Sequence, residues 1–227
     1  MAEVHGVAGE WARVKGTVAG LWPLFLGVFA TGIAATLIFI SGLLLTGIIL
    51  LTASIVFIWW SLMKGLRHVE RFFKGARGEE KVAGILKDLP HEYHVFNDFL
   101  ASGKHVDHVV VGPAGVFAIE TKFWFGRVTL EDGHILLDGQ LPGRSPLAQV
   151  RKEARAVENQ LAKSFDWKGV VTPVLVFASD TFDAVIAEDG GAIILNSSHL
   201  KRSFDTQRVI IPQVELDRLV RLMENNQ

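Results

Sequence analysis

The sequence contains no cysteine. Disulfides, thiol nucleophiles, Cys-ligated zinc and iron–sulfur clusters are therefore excluded. Charge is missing over a long stretch as well: no Asp, Glu, Lys or Arg occurs between Gly16 and Met63. Nor is there an excess of positive charge, since 23 Lys and Arg stand against 24 Asp and Glu, a net charge of −1 over 227 residues. Glu3, Glu10, Arg13 and Lys15 take away two charges of each sign, so the part after Met63 also carries −1. A generic basic coat for phosphate backbones is absent. That argues against a protein that coats nucleic acid. It argues less against chemistry on phosphates in which metal ions supply the local positive charge. Internal repeats and low-complexity tracts are absent too.

What the sequence has instead is apolar residues, 49% of the total, with a mean hydropathy of +0.31. They are concentrated from Leu21 to Met63. One helix of that length would span roughly 64 Å at about 1.5 Å per residue, about twice a hydrocarbon core of ~30 Å. Two helices fit, at residues 21–40 and 43–63, joined by a tight turn at Ser41-Gly42. A signal peptide has a shorter apolar region and is not followed at once by a second span. Arg13 and Lys15 precede the pair, and Lys64, Arg67, Arg71, Lys74 and Arg77 follow it, while the turn carries no charge. Positive flanks of this kind place both termini in the cytoplasm. Trp22 at the start of the first span, and Trp59 and Trp60 at the end of the second, would then lie at one interface.

Residues 1–20 thus read as a cytoplasmic segment and residues 64–74 as a basic juxtamembrane helix along the bilayer surface, with Leu66, Val69, Phe72 and Phe73 on its apolar side. Gly75-Ala76-Arg77-Gly78 should break or bend it. A helix is expected over Glu79–Leu89, stopped by Pro90. Strands are expected at Tyr93–Asn97, His105–Val111 and Val116–Phe123, the last two joined by Gly112-Pro113-Ala114-Gly115. A hairpin of Arg127–Leu130 and His134–Leu137 follows. Ser145 and Pro146 open a helix with Leu147, Val150, Ala154, Val157 and Leu161 on its buried stripe. Val170–Ala178 is an apolar strand; Ala192–Leu195 and Val209–Ile211 are shorter ones. Pro212 opens a last helix. This order predicts a layered α/β domain.

Within that domain a few polar residues resist a bland explanation. Glu120 and Lys122 project to the same side of their strand, opposite Ile119 and Thr121. Asp107 lies in an apolar strand, where a carboxylate is costly unless it is paired or metal-bound. If Pro113-Ala114 is a two-residue loop, Asp107 faces Glu120 and His105 faces Lys122. Two carboxylates with roughly 5 Å between their Cβ atoms repel each other unless a cation sits between them. A one-residue slip would turn Asp107 to the other face. Glu79 shares the inward edge of its helix with Val82 and Leu86, whereas Glu80 lies on the solvent side. Gln149, in the first turn of the helix opened by Ser145, could aim an amide at the same place. His91, His94, His105 and His108 form two loose pairs without the spacing of a zinc helix, and read as surface or supporting residues. Trp124 and Phe125, beside Lys122, could stack on bases or pack at the rim.

Gly75-Ala76-Arg77-Gly78-Glu79, Val106-Asp107-His108-Val109-Val110-Val111-Gly112, Val116-Phe117-Ala118-Ile119-Glu120-Thr121-Lys122 and Ser145-Pro146-Leu147-Ala148-Gln149 follow one another in the order of the motifs of nuclease-related (NERD) domains. The chain resembles that family from about Gly75 to Leu161, and more loosely to Ala178. The family is assigned to the PD-(D/E)XK nucleases. The resemblance implies an α/β fold, a transmembrane helical hairpin followed by a PD-(D/E)XK-like mixed α/β nuclease domain over residues 75–180, with an α/β extension over residues 181–227. It implies a metal-dependent nuclease that hydrolyses phosphodiester bonds on the cytoplasmic face of a lipid bilayer, on DNA in preference to RNA. The alternative is an inactive membrane-tethered module that binds nucleic acid or protein. Asp107, Glu120 and the Thr121 backbone carbonyl would hold Mg²⁺, or Mn²⁺ in its place, with Glu79 binding a second ion or positioning the first. Lys122 would stabilise developing charge, and Gln149 would bind water or phosphate.

Overall fold

The structure is a computed structural model, and it describes residues 1–39, 43–183, 186–205 and 210–225. The chain divides into two units, Trp11–Lys74 and a second made of Met1–Glu10 with Gly75–Gln227.

The first unit is built on two helices, α1 (Glu10–Phe39) and α2 (Leu44–Lys87). Both are long and apolar enough to cross a membrane. The turn expected at Ser41-Gly42 lies outside the described residues. Small residues set the helix contact, as they do where backbones must approach closely. A Cβ on Gly20 would lie 2.5 Å from the Val69 side chain, and one on Gly16 would lie 2.5 Å from Phe72. Thr31 Oγ1 donates to Ser54 Oγ at 3.0 Å across the pair. Phe25, Phe29, Ile49 and Trp59 point outward and are exposed.

Two expectations are corrected here. The basic stretch after Met63 does not leave the helical pair, because Val69 and Phe72 pack on α1. Nor does Gly75–Gly78 interrupt α2, which runs on to Lys87. Two glycines cost a helix about 1 kcal/mol each, and the apolar contacts on both sides of them outweigh that.

The second unit is a layered α/β structure around a seven-stranded sheet. Its strands are β1 (Glu3–His5), β2 (His94–Ala101), β3 (Lys104–Gly112), β4 (Gly115–Lys122), β7 (Val171–Phe177), β8 (Ile186–Asp189) and β9 (Ala192–Asn196). Their order in the sheet is β1-β2-β3-β4-β7-β9-β8. A separate hairpin pairs β5 (Val128–Glu131) with β6 (His134–Leu137). The remaining helices are α3 (Pro146–Phe165), α4 (Leu200–Asp205) and α5 (Gln213–Glu224). β4, β7 and β9 run parallel, their crossovers carrying the hairpin, α3 and β8, while β2–β3–β4 is an antiparallel meander.

Each face of the sheet is covered by helix. Ala118, Val109 and Val116 pack with Ala154, Val157 and Leu161 of α3 and Leu216 and Leu219 of α5. Phe117, Ile119 and Val176 pack on the other side with Val82 and Leu86 of α2 and Phe204 of α4. Adjacent residues of β4 thus bury into different layers, as the period of two requires. Sequence reading did not assign β1, β8 or α4, and it placed a strand at Val209–Ile211. Val209 lies outside the described residues. Ile210 and Ile211 form no strand; their amides both donate to the Pro113 carbonyl, at 2.8 and 3.0 Å.

Candidate nuclease site

The β3–β4 hairpin has the register that a two-residue loop imposes. Gly112 pairs with Gly115, Val111 with Val116 and His108 with Ile119. Asp107 and Glu120 are the next residues beyond the last pair of this ladder. At that point the strands change character. Val106, Val109 and Val111 all contribute to one core cluster, so strict alternation does not hold across Asp107. Asp98, at the facing position of β2, takes a left-handed backbone with φ 53°. The half-buried Asp107 carboxylate is turned toward β4, where its Oδ2 accepts from the Thr121 backbone N–H at 2.7 Å.

Glu120 is buried with 4% of its surface exposed. It projects into the α3 side of the sheet, and Lys122 Nζ donates to its Oε1. Lys122 Nζ also donates to Gln149 Oε1 at 3.0 Å. Gln149 reaches the strand because Ser145 caps α3, its hydroxyl accepting from the Ala148 N–H at 3.2 Å. Gln149 Nε2 then donates to Glu153 Oε1 at 2.9 Å. Asp107, Thr121, Glu120, Lys122, Gln149 and Glu153 therefore form one connected polar cluster on β3, β4 and α3. Glu79 comes from α2 on the other layer. Gly78 lets that helix approach β4, since a Cβ there would stand 2.9 Å from Phe123 Cβ. Glu79 is half-buried, whereas Glu80 is exposed.

The electrostatics are those of crowded acids. Burial, then the charges of Glu120 and Glu79, push the Asp107 carboxyl well above the usual carboxylate range, against the pull of the Thr121 N–H and Lys122. Burial and Glu120 likewise hold Glu153 up to about 9, and Glu153 shares a hydrogen bond with Glu120. Burial opposes the charge on Lys122, but Glu120, Asp107 and Glu153 reverse that and raise it. Too many carboxylates face one ammonium, which is the arrangement a divalent cation relieves. The donors are oxygens from carboxylates, fitting a hard ion such as Mg²⁺.

Residues 74–178 match the model of the NERD family, the nuclease-related domain. No curated protein and no solved structure matches the chain. The matched segment of the nuclease-related domain runs from the end of the apolar pair through β7, and it contains Glu79, Asp107, Glu120, Lys122, Gln149 and Glu153. Elements β1, β8, β9, α4 and α5 lie outside it.

Sequence reading missed Glu153. The signal was there: a residue four after Gln149 lies on the same side of α3, beside the buried Val150, Ala154 and Val157. The histidines sort differently from one another. His108 is fully buried, with Nδ1 2.7 Å from Asn97 Oδ1, and burial lowers its pKa to about 3. His105 pairs with Asp98 at 3.0 Å rather than with Lys122. Trp124 packs against Phe177 with ring centroids 5.7 Å apart, so it is rim structure, while Phe125 is exposed.

Proposed function

We propose that this protein is a membrane-anchored, metal-dependent nuclease that hydrolyses phosphodiester bonds of nucleic acid, DNA in preference to RNA, on the cytoplasmic side. The observation that carries this reading is the convergence of Asp107, Glu120 and Lys122, from two strands, with Gln149 of α3. A salt bridge on a solvated face would need neither the burial of Glu120 nor the raised carboxyl of Asp107.

Asp107, Glu120 and the Thr121 carbonyl would hold Mg²⁺ or Mn²⁺, with Glu79 positioning it or joining a second ion. When bound, the ion supplies Lewis acidity to the scissile phosphate and to an attacking water. Lys122, kept protonated by its acidic neighbours, stabilises the charge that builds on phosphate oxygens. Gln149 fixes the Lys122 ammonium and orients water or phosphate by its amide. Glu153 keeps a proton at neutral pH, which spares Glu120 a second adjacent charge. The exposed Phe125 offers a ring on which a base can stack.

The helical pair Glu10–Phe39 and Leu44–Lys87 would anchor the chain, and its positive flanks put both termini in the cytoplasm. The test is cleavage of labelled DNA and RNA by the full chain in detergent with Mg²⁺. Wild type is expected to cut, and Glu120→Ala and Lys122→Ala are not. Equal inertness of all three over a range of metals and substrates would leave a binding module instead.

A further inference from the structure

At one edge of the sheet β1 pairs in parallel with β2: Glu3 lies opposite His94, Val4 opposite Val95 and His5 opposite Phe96. Residues two apart in a strand share a face, so Glu3 and His5 project together, with His94 beside them. One ligand atom from each of these three residues lies within 4.8 Å of the others. Glu224, the last residue of α5, lies outside that group of three but brings its Oε1 within 3.8 Å of His5 Nε2. His94 Nδ1 stands 3.5 Å from Glu3 Oε2.

These separations are too long for hydrogen bonds. His5 Nε2 and His94 Nδ1 are both buried and have no hydrogen-bond partner. A buried imidazole nitrogen facing a carboxylate across such a gap is costly as it stands. Two donors about 2.0–2.1 Å from one tetrahedral ion lie roughly 3.4 Å apart, and these pairs are close to that spacing. The rings are also held in place. His5 stacks on Phe96 with centroids 4.6 Å apart and planes 12° apart, and lies 6.1 Å from the His94 ring at 19°. The carboxylates approach from the surface, with side-chain exposures of 64% for Glu3 and 40% for Glu224, so an ion has a way in.

We propose that Glu3, His5, His94 and Glu224 form a second cation site, separate from the acidic pocket, which takes Zn²⁺. Two imidazoles and two carboxylates suit zinc, whereas Mg²⁺ and Ca²⁺ favour all-oxygen sets. The ion ties the three-residue β1 to β2 and α5, a structural role that metals fill by binding the folded state.

The probes are Zn²⁺ alone and Co²⁺ alone, added to the full chain in detergent. Wild type is expected to bind Zn²⁺ with a rise in its thermal midpoint, and to show with Co²⁺ the strong visible absorption of a four-coordinate ion. Both signals persist in Glu120→Ala. The pair His5→Gln and His94→Gln weakens Zn²⁺ by more than about 100-fold, beyond what loss of an outer supporting residue costs. Should that pair not fold, His5→Gln alone, on the short edge strand, gives the same reading. Absence of Zn²⁺ binding by wild type, binding unchanged in the histidine variants, or its loss in Glu120→Ala would each overturn the proposal.

Discussion

In the α/β unit Val82, Leu86, Val110 and Ile119 are wholly buried, whereas in Trp11–Lys74 residues of similar character, Phe25, Phe29, Ile49 and Trp59, face outward. The polar groups reverse the pattern. The helical pair has no charge from Gly16 to Met63, while the α/β unit buries Glu120 and Glu153. Exposed apolar area on this scale is what a lipid solvent tolerates and water does not. Buried carboxylates are what a folding chain tolerates only when something else is gained. One unit departs from the ordinary rules of a water-soluble protein on its surface, the other inside, and these departures motivate the bilayer and the cation proposed above.

The largest effect expected from that contrast is chemical. Glu120→Ala should lower cleavage of labelled DNA by about 10³-fold, and Lys122→Ala by about 10²–10³-fold, the scale of losing a group aimed at developing charge. Neither should alter membrane fractionation. Placing arginine at both Leu50 and Ile49 should do the converse. Each charge at the centre of a span costs about 2.5–3.5 kcal/mol, so the variant should lose its resistance to alkaline extraction, read by blotting pellet and supernatant. Leu86→Ala, which opens a void in the layer beneath β4, should destabilise the α/β unit by about 2–5 kcal/mol. Hydrogen exchange over β2–β4 would report it.

The smallest effects lie in pH dependence, and two groups act in opposite directions. Folding holds the Glu153 proton up to about 9, from 4.5 in the open chain. Its contribution is therefore whole below about 4.5 and is lost as pH rises toward 9. Glu153→Gln removes that loss, so its thermal midpoint should gain on wild type as pH is raised through this window without added metal. Burial of His108 has the other sign: it holds the ring down to about 3 from 6.5, so its contribution is whole above about 6.5 and is lost as pH falls toward 3. Thermal midpoints measured over that range should decline toward acid.

The sequence made the centre of the fold legible for reasons that are local. The Pro113-Ala114 loop fixed the register from Gly112–Gly115 to His108–Ile119, and Ser145-Pro146 fixed the start of α3. The hairpin of His134–Leu137 followed from alternation around Asp132-Gly133. What escaped depended on distant partners. β1 has three residues and exists because β2 offers an edge. α4 has six residues and is held by Phe204 packing on Tyr93 and Phe117. Glycines at Gly75 and Gly78 read as a break, but Gly78 serves close packing against Phe123. In the candidate site Asp107 drew attention as a carboxylate in an apolar strand, and Glu120 and Lys122 because they project to one side of theirs. Glu153 did not stand out, because an acid in a helix is commonplace until its burial is known.

The gathering of carboxylates around one divalent ion is most directly tested by titrating the full chain in detergent with Mn²⁺ and following the free ion by its electron paramagnetic resonance. Wild type and His5→Gln should take up Mn²⁺ tightly, and the pair Asp107→Asn with Glu120→Gln should not. Equal uptake by that pair and by wild type, or no uptake by either, would contradict it.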